Sequence, residues 1–372
     1  MACLAAEVFK EIYGYKAKIF SAPGRVNLIG EHTDYNEGFV LPTPLSLRVY
    51  SAVGKRKDDT FNLYAVDFEE RTNFSLRDIN RDPDLSWSNY IKGIIKVLRD
   101  CGHRLSGADI AISGNVPIGS GLSSSAALEI SILRALNEIN NLELDPVKMA
   151  YLGKRAENDF VGVQSGIMDQ FVASLGHLGE ALFIDCRSDD YSQIPIDDSF
   201  SIIIVDTLKK RELAKSEYNR RKKECDEAVS IMRQFYPDIT ALRDVTLDMM
   251  SEHCNDLPSL QASRARHVVT ENKRVLKSIE LLKRGNMEEF GRLMYQSHES
   301  LRHDYQVSCL ELDILVDATM DMGYVLGSRM TGAGFGGCTV NLVEEDKVEK
   351  FMAEISNEYK SKIGKNPEIY LV

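Results

Sequence analysis

The stretch Gly114-Asn-Val-Pro-Ile-Gly-Ser-Gly-Leu-Ser-Ser-Ser-Ala-Ala127 joins two segments of different hydrophobic pattern. Residues 108–113, before it, are typical of a short strand, and residues 123–137, after it, have their apolar side chains at helical spacing. Glycines allow backbone N–H groups to converge on an anion, and a helix start adds free N–H donors and a positive dipole end. The stretch therefore predicts a phosphate-binding loop that opens a helix.

Two better-known loops do not fit this stretch. Ser120 stands where a Walker A loop needs lysine. Residues 122–126 break the Gly-x-Ser-x-Gly pattern of a hydrolase nucleophile. A loop of small residues that only permits close packing stays open as an alternative.

The overall composition is that of an ordinary globular protein. Of 372 residues, 44% are hydrophobic and 27% charged, and the net charge is −11. This acidic balance argues against a broad nucleic-acid or anionic-membrane surface, because such surfaces need clustered Lys and Arg. No apolar run approaches the ~18 residues of a membrane-spanning helix. We therefore expect partners other than nucleic acids and membranes.

The cysteines indicate a reducing compartment. Seven are scattered along the chain, and none forms a Cys-x-x-Cys pair. A zinc ribbon or a thioredoxin-type site has no support from this pattern. Residues 1–10 lack a basic start and carry Glu7 among apolar residues, so we do not expect a signal peptide. We expect a cytoplasmic protein.

The order of strand-like and helix-like segments predicts an α+β fold of two domains. Asp145 followed by Pro146 predicts the start of a helix that continues to Glu157. The polar link at 187–199 is the predicted boundary, between domains at 1–195 and 196–372. Strands are predicted at 45–53, 61–68, 108–113, 181–186, 201–206, 338–343 and 368–372, and further helices at 213–235, 260–284, 287–303, 310–322 and from 347.

A second glycine-rich stretch is Ser328-Arg-Met-Thr-Gly-Ala-Gly-Phe-Gly-Gly337, which contains a literal Gly-x-Gly-x-x-Gly pattern. We reject dinucleotide binding, because that fingerprint opens a helix, whereas residues 338–343 predict a strand. A protein-kinase loop is rejected because the chain has no His-Arg-Asp or Asp-Phe-Gly. A flexible loop that approaches a ligand closely and a tight turn between strands both stay open.

A third stretch, from Ala22 to Asn36, concentrates polar side chains. Neutral sugars are bound by such mixtures of donors and acceptors, because each hydroxyl needs a partner once it leaves water. A surface cation, a solvated turn and a metal site are the alternatives. The polar residues are Arg25, Asn27, Glu31, His32, Asp34 and Asn36.

These three stretches, in this order and spacing, resemble the motifs of the GHMP small-molecule kinases. Residues 23–36 resemble the signature of the members that phosphorylate galactose, 117–126 the ATP motif, and 328–338 the third motif. Residues 166–170, 216–221 and 264–269 support the resemblance, which spans essentially the whole chain. It implies an N-terminal ribosomal-S5-like domain and a C-terminal ferredoxin-like domain.

The resemblance also implies an activity. The family reaction transfers a phosphoryl group from ATP to the C1 hydroxyl of α-D-galactose, giving galactose 1-phosphate and ADP in galactose metabolism. Asp169 resembles the acceptor of the hydroxyl proton, with Arg25 beside it. A related sugar, such as N-acetylgalactosamine or arabinose, and a non-enzymatic sensor of sugar and ATP remain alternatives. We expect a monomer or a weak homo-oligomer.

The resemblance assigns the remaining site residues to three groups. Ser125 and Glu157 resemble Mg²⁺ ligands, since a hydroxyl and a carboxylate leave room for waters and phosphate oxygens around this ion. The sugar group comprises Glu31, His32, Thr33, Asp34, Asp169 and Tyr218. The ATP group comprises Trp87, Gly119, Ser120, Gly121, Leu122, Ser123, Ser124 and Ser125.

Overall fold

A computed structural model describes residues 1–163, 166–209 and 214–372, with only the backbone of residues 214 and 215. The described chain forms two compact units, and neither is a continuous segment. Unit 1 consists of Met1–Arg25, Pro44–Ile118 and Leu122–Gly176, and unit 2 of Val26–Thr43, Gly119–Gly121 and His177–Val372. The domain division predicted from the sequence, at 195 and 196, stays a prediction.

The first half of the chain alternates strands and helices. After α4 the helix continues as a π-helix, Ala156–Val161. The elements are α1 (Ala2–Tyr13), β1 (Lys18–Asn27), β2 (Phe39–Val40), β3 (Pro42–Lys55), β4 (Thr60–Ala65), β5 (Glu70–Ser75), α2 (Ser86–Asp100), β6 (Ala108–Gly114), α3 (Ser124–Asn140), α4 (Pro146–Arg155) and α5 (Met168–Leu175).

The second half of the chain is mostly helical, with strands near its start and near its end. Among the helices in the described ranges, none is long and apolar enough to span a membrane. A second π-helix, Leu301–Tyr305, follows α9. The elements are β7 (Glu180–Asp185), β8 (Tyr191–Pro195), β9 (Phe200–Asp206), α6 (Ala214–Met232), α7 (Leu247–Glu252), α8 (Ser259–Lys283), α9 (Met287–Ser300), α10 (Leu310–Thr319), β10 (Val325–Thr331), β11 (Cys338–Glu344), α11 (Val348–Ile363) and β12 (Glu368–Leu371).

A five-stranded sheet of order β1-β3-β6-β4-β5 is built by the first half of the chain. β6 pairs antiparallel with β3 and parallel with β4. α1 covers one face, where Phe9 and Ala5 pack against Ala52 and Ala111. β4 alternates half-buried and buried residues, whereas the central strand β6 is buried at every position from Ala108 to Ser113, as a strand covered on both faces is.

Unit 2 contains a four-stranded antiparallel sheet of order β10-β11-β9-β12. Helices connect β9 to β10 and β11 to β12, which is the β-α-β-β-α-β plan of the ferredoxin-like fold. Its core includes Ile203 and Val205 of β9 and Phe351 and Ile355 of α11. This arrangement confirms the predicted α+β fold and the predicted ferredoxin-like part.

Most predicted elements are present within a few residues of their predicted bounds. Asp145 starts α4 as predicted, because its carboxylate accepts a hydrogen bond of 2.8 Å from the backbone N–H of Lys148. The strand predicted at 61–68 ends at Ala65, where a 3₁₀ turn begins. The predicted helix start at Leu213 lies outside the described residues.

The link predicted at 187–199 is wrong as a description of local structure. It contains β8, which pairs antiparallel with β7. Only Ile194 of this strand is fully buried, so its sequence shows almost no apolar alternation. The pairing with β7, rather than a hydrophobic pattern, defines the strand.

Gly291 gives a test of the packing of α9 on β10. A Cβ at this position would lie 2.1 Å from the carbonyl oxygen of Leu326. We expect Gly291→Ala to destabilise the protein by about 1–3 kcal/mol through overpacking, although alanine ordinarily favours a helix. Thermal unfolding measures the effect. The control is Gly323→Ala, since no atom lies within 4 Å of that Cβ. Equal unfolding temperatures for the two variants would contradict the tight contact.

Candidate active site

Arg25 and Asp169 form an ion pair in unit 1. The guanidinium Nε and Nη2 of Arg25 lie 2.8 and 2.7 Å from the same oxygen, Oδ1 of Asp169. The side chain of Arg25 is only 7% exposed, whereas that of Asp169 is 27% exposed. The buried guanidinium fixes one oxygen of a carboxylate that solvent or a ligand can still reach.

Ser123 holds the other oxygen of Asp169. Its Oγ donates a hydrogen bond of 2.5 Å to Oδ2. Ser123 directly precedes α3 and adopts a left-handed backbone, with φ of 60°. Because its hydroxyl serves Asp169, it does not cap the helix. Ser123 thus gives the first N–H groups of α3 no side-chain cap, and a helix start that its N-cap residue leaves open in this way attracts an anion.

Gly24 explains why Arg25 reaches this position. A Cβ at residue 24 would lie 2.7 Å from the carbonyl oxygen of Leu122. The same carbonyl accepts a hydrogen bond of 3.0 Å from the backbone N–H of Arg25. Only glycine allows β1 to approach the start of α3 this closely.

Glu157 and Ser125 also lie together in unit 1. The Ser125 hydroxyl is 3.4 Å from Oε1 of Glu157, and Oε2 accepts a hydrogen bond of 2.9 Å from Gln170 Nε2. Glu157 is 6% exposed, so it is a buried carboxylate and not a solvated charge at the end of a helix. It lies in the π-helix after α4, and such segments frequently occur at functional sites.

Ser125 and Glu157 suit a metal ion that takes most of its ligands from water and phosphate oxygens. Among the residues that the structure describes, no group of three or more His, Cys, Asp or Glu side chains could hold a metal. Mg²⁺ is commonly held by one or two protein groups, with waters and phosphate oxygens completing its shell. One buried carboxylate oxygen beside the Ser125 hydroxyl fits that requirement.

Two further residues support Glu157, and no role for either was predicted from the sequence. Gln170 Nε2 donates to Oε2 of Glu129 at 3.0 Å as well as to Glu157. Both Glu129 and Gln170 are fully buried. Burial, and next the charge of Glu157, raise the pKa of Glu129 well above its usual value. The available signal was an acidic residue within the apolar stripe of α3.

The predicted ATP residues occupy two kinds of position. Trp87 lies in the first turn of α2, partly exposed, and its Nε1 donates a hydrogen bond of 2.6 Å to Glu70. Gly119 and Gly121 have φ of 79° and 88°, a conformation that favours glycine. The nucleotide contacts of this group stay a prediction.

In unit 2, the carboxylate of Glu31 accepts three hydrogen bonds from described residues, and Nη2 of the buried Arg329 lies 3.7 Å from Oε1. Oε1 accepts a hydrogen bond of 2.9 Å from the Thr331 hydroxyl and another from the backbone N–H of Gly332. Oε2 accepts one of 2.9 Å from Asn27 Nδ2. Glu31 is 2% exposed. It therefore anchors the start of the second glycine-rich loop, and one acceptor position remains on Oε2.

His32 is buried in a left-handed backbone conformation, with φ of 61°. Its Nδ1 lies 2.7 Å from the hydroxyl of Tyr35. Burial, with the nearby His267 and Arg221, lowers the pKa of His32 to about 3. The imidazole is therefore neutral at physiological pH.

The other predicted sugar residues differ in their surroundings. The Thr33 hydroxyl is within 2.8 Å of the carbonyl oxygen of Gly30, so it stabilises the turn. Asp34 begins a 3₁₀ turn and is partly exposed. The ring of Tyr218, on α6, lies 5.8 Å from that of His32. His32 and Tyr218 are thus neighbours in unit 2, as their shared assignment requires.

The second glycine-rich loop joins β10 to β11, two antiparallel strands. This strand-to-strand connection confirms the rejection of a dinucleotide fingerprint, which would open a helix. Gly334 has φ of 80°, and a Cβ there would lie 2.2 Å from the carbonyl oxygen of Val307. Close approach to the backbone thus requires glycine at this position.

Family models match three parts of the chain. The model for the GHMP kinases N terminal domain matches residues 89–177, and that for the GHMP kinases C terminal matches residues 278–361. The galactokinase galactose-binding signature matches residues 7–55. The three matches define a class of small-molecule kinases.

Curated relatives narrow this class. The chain is 46% identical to the galactokinase of Roseiflexus sp. (strain RS-1) over 366 residues, covering 98% of this chain and 93% of the relative. It is 43% identical to that of Fusobacterium nucleatum over 372 residues, covering 98% and 95%. The chain belongs to the galactokinase family of the GHMP kinases, which confirms the predicted family.

Solved structures agree. A Lactococcus lactis galactokinase complexed with galactose is similar to this chain with a TM-score of 0.95 and 36% identity, over 99% of this chain and 97% of that one. A Methanococcus jannaschii mevalonate kinase is similar with a TM-score of 0.68 and 22% identity, over 96% and 98%. The second likeness shows the shared fold alone, and both confirm the predicted two-domain GHMP kinase fold.

Glu129 gives a pH-dependent prediction. Because folding raises its pKa, the folded state binds its proton more tightly than the unfolded chain, so this carboxyl costs stability as pH rises above about 4.5. Glu129→Gln stays neutral and keeps the shape. We expect the free energy of unfolding of Glu129→Gln, relative to that of wild type, to increase by up to about 1.4 kcal/mol for each pH unit above about pH 4.5.

Urea denaturation of both proteins in EDTA, from pH 4.5 to pH 8, measures this difference. The matched control is Glu138→Gln, on the same helix, whose exposed carboxylate pairs with Lys18. The difference between wild type and this control measures the effect of an exposed Glu-to-Gln change on the same helix. A difference for Glu129→Gln that does not grow with pH would show that Glu129 is charged in the folded protein.

Proposed function

We propose that this protein transfers the γ-phosphoryl group of ATP to the C1 hydroxyl of α-D-galactose, giving galactose 1-phosphate and ADP. The observation that carries the proposal is the Asp169 carboxylate, held by Arg25 and Ser123 beside the uncapped start of α3. The matched galactose-binding signature and the names of the curated relatives support galactose as the sugar.

Asp169 is proposed to orient the C1 hydroxyl and accept its proton. Its Oδ1 is fixed by Arg25, and the carboxylate is partly exposed, so it can meet a hydroxyl. Phosphoryl transfer depends largely on positioning and on stabilising charge on the transferring group. Arg25, a permanent cation beside that carboxylate, is proposed to supply part of that stabilisation.

The sugar is proposed to contact Glu31, His32, Asp34 and Tyr218. Glu31 retains one acceptor position on Oε2, and Nε2 of His32 makes no hydrogen bond of normal geometry with the described residues, although the backbone of Ala333 is near the ring. Thr33, whose hydroxyl serves backbone carbonyls, contributes by shaping the turn.

ATP is proposed to bind through Trp87 and the residues from Gly119 to Ser125. Mg²⁺ is proposed to bind Ser125 and Glu157. When bound, this ion neutralises charge on the phosphate oxygens and keeps the transferring group in place. We further propose a cytoplasmic location. A sensor that lacks catalysis is less well supported, because Arg25, Asp169, Ser125 and Glu157 are all present.

A substrate panel tests the proposed reaction. Coupled detection of ADP should show turnover on galactose, and weaker or no turnover on N-acetylgalactosamine, arabinose, galacturonate and mevalonate. A different preferred sugar would replace galactose and leave the kinase class intact. ATP binding without turnover on any of these compounds would favour the sensor.

Asp169→Ala tests the assigned base. We expect a loss of kcat of at least about 100-fold, the lower end of general-base effects, because the C1 hydroxyl loses its oriented acceptor. Binding of a fluorescent ATP analogue should stay within a few-fold of wild type. The control is Asp100→Ala, which removes an exposed carboxylate paired with Lys96 in unit 1. Near-normal kcat for Asp169→Ala would show that this carboxylate is not the acceptor.

A further inference from the structure

Starting at His32, three further side chains in unit 2 form a continuous series of hydrogen bonds. His32 Nδ1 is 2.7 Å from the Tyr35 hydroxyl, which is 2.8 Å from the Tyr305 hydroxyl, which is 3.1 Å from Cys225 Sγ. Tyr305 and Cys225 are fully buried. At the other end, the buried Nε2 of His32 makes no hydrogen bond of normal geometry with the described residues, and the backbone of Ala333 lies near enough to the ring to act on its pKa.

A neutral imidazole carries one proton, on Nδ1 or on Nε2, and the partner of Nδ1 decides which. If Tyr35 donates to Nδ1, the proton of His32 is on Nε2. If Nδ1 donates to Tyr35, Nε2 is an acceptor. The direction of donation along this series of hydrogen bonds therefore decides whether Nε2 of His32 offers a ligand a donor or an acceptor.

Cys225, at the far end of this hydrogen-bonded series, favours one direction of donation. When Tyr35 donates to His32, Tyr305 donates to Tyr35 and the Cys225 thiol donates to Tyr305, so every acceptor is oxygen or nitrogen. Sulfur is weak both as a donor and as an acceptor, so this contact alone does not set the direction; in the opposite direction, however, the thiol proton of the fully buried Cys225 loses the Tyr305 oxygen as its acceptor. Burial raises the pKa of the Cys225 thiol to about 11, so the thiol keeps the proton that it donates.

We propose that Tyr35, supported by Tyr305 and Cys225, holds His32 in the tautomer with its proton on Nε2, so that His32 offers the sugar a hydrogen-bond donor. This inference rests on the proposed function, in which His32 contacts the sugar. Tyr35 and Tyr305 are then positioning residues that act through His32. Beside it, Glu31 offers an acceptor, and the donor and the acceptor together discriminate sugars by the direction of their hydroxyl hydrogen bonds.

The first test observes the tautomer in the protein without ligand. Long-range proton–nitrogen NMR spectra of ¹⁵N-histidine-labelled protein, with His32→Gln to assign the signal, should show a protonated Nε2 and an unprotonated Nδ1. Tyr35→Phe removes the donor to Nδ1 and should give mixed tautomers. A wild-type spectrum with the proton on Nδ1 would overturn the inference.

The second test separates positioning from general structure. Tyr35→Phe and Tyr305→Phe should raise the KM for galactose by about 3- to 10-fold, as loss of one hydrogen bond predicts, with kcat and the KM for ATP nearly unchanged. The control is Tyr295→Phe, which loses a hydroxyl bonded to Thr319 in the same unit. An equal rise of KM in the control would overturn the inference.

Cys225 supplies a rescue. Cys225→Ala removes the terminal donor and should weaken the tautomer preference, whereas Cys225→Ser restores a donor and should preserve both the spectrum and the KM. Equal behaviour of the two variants contradicts the proposed direction of donation. A spectrum with protonated Nε2 but no galactose turnover contradicts the proposed function and leaves the tautomer assignment standing.

Discussion

The buried carboxylate of Glu31 determines the local geometry of the predicted sugar residues in unit 2. A carboxylate without donors is very costly to bury, so its contacts with Asn27, Thr331 and Gly332 must form together. These contacts fix the turn that follows β1 to the start of the loop after β10. The left-handed conformation of His32 and its contact with Tyr35 belong to the same turn.

The parts of the fold that the sequence predicts well depend on local chemistry. Asp145 and Pro146 favour a helix start before an apolar pattern, and two of the left-handed positions in the loop before α3, Gly119 and Gly121, are glycines, with Ser123 as the exception. β8 was missed because a strand with one buried residue is defined by its partner, β7, and not by its own pattern.

The site divides in the same way. Arg25 and Asp169 are 144 positions apart, and no local pattern connects them, so resemblance to a family supplied the pairing that the structure shows. Tyr35 and Tyr305 are 270 positions apart; Tyr35 lies within the signature at residues 23–36 but received no role from it, and Tyr305 lies in none of the motifs. Glu129 is hidden for a different reason: a lone acid in an apolar stripe does not reveal whether it is charged, paired or protonated.

The net charge of −11 and the binding of ATP are compatible because they concern different groups. A polyanion such as nucleic acid needs a broad surface of Lys and Arg, which an acidic chain rarely has. A nucleotide has only a few phosphates, and an uncapped helix start and glycine backbone N–H groups can bind them without any cationic side chain. Of the site's acids, Asp169 is paired with the guanidinium of Arg25, and burial raises the pKa of Glu129, which favours its neutral form. The local field at the start of α3 is therefore less negative than the composition suggests. The net charge argues against a large polyanionic partner, and it does not argue against a small anion such as ATP.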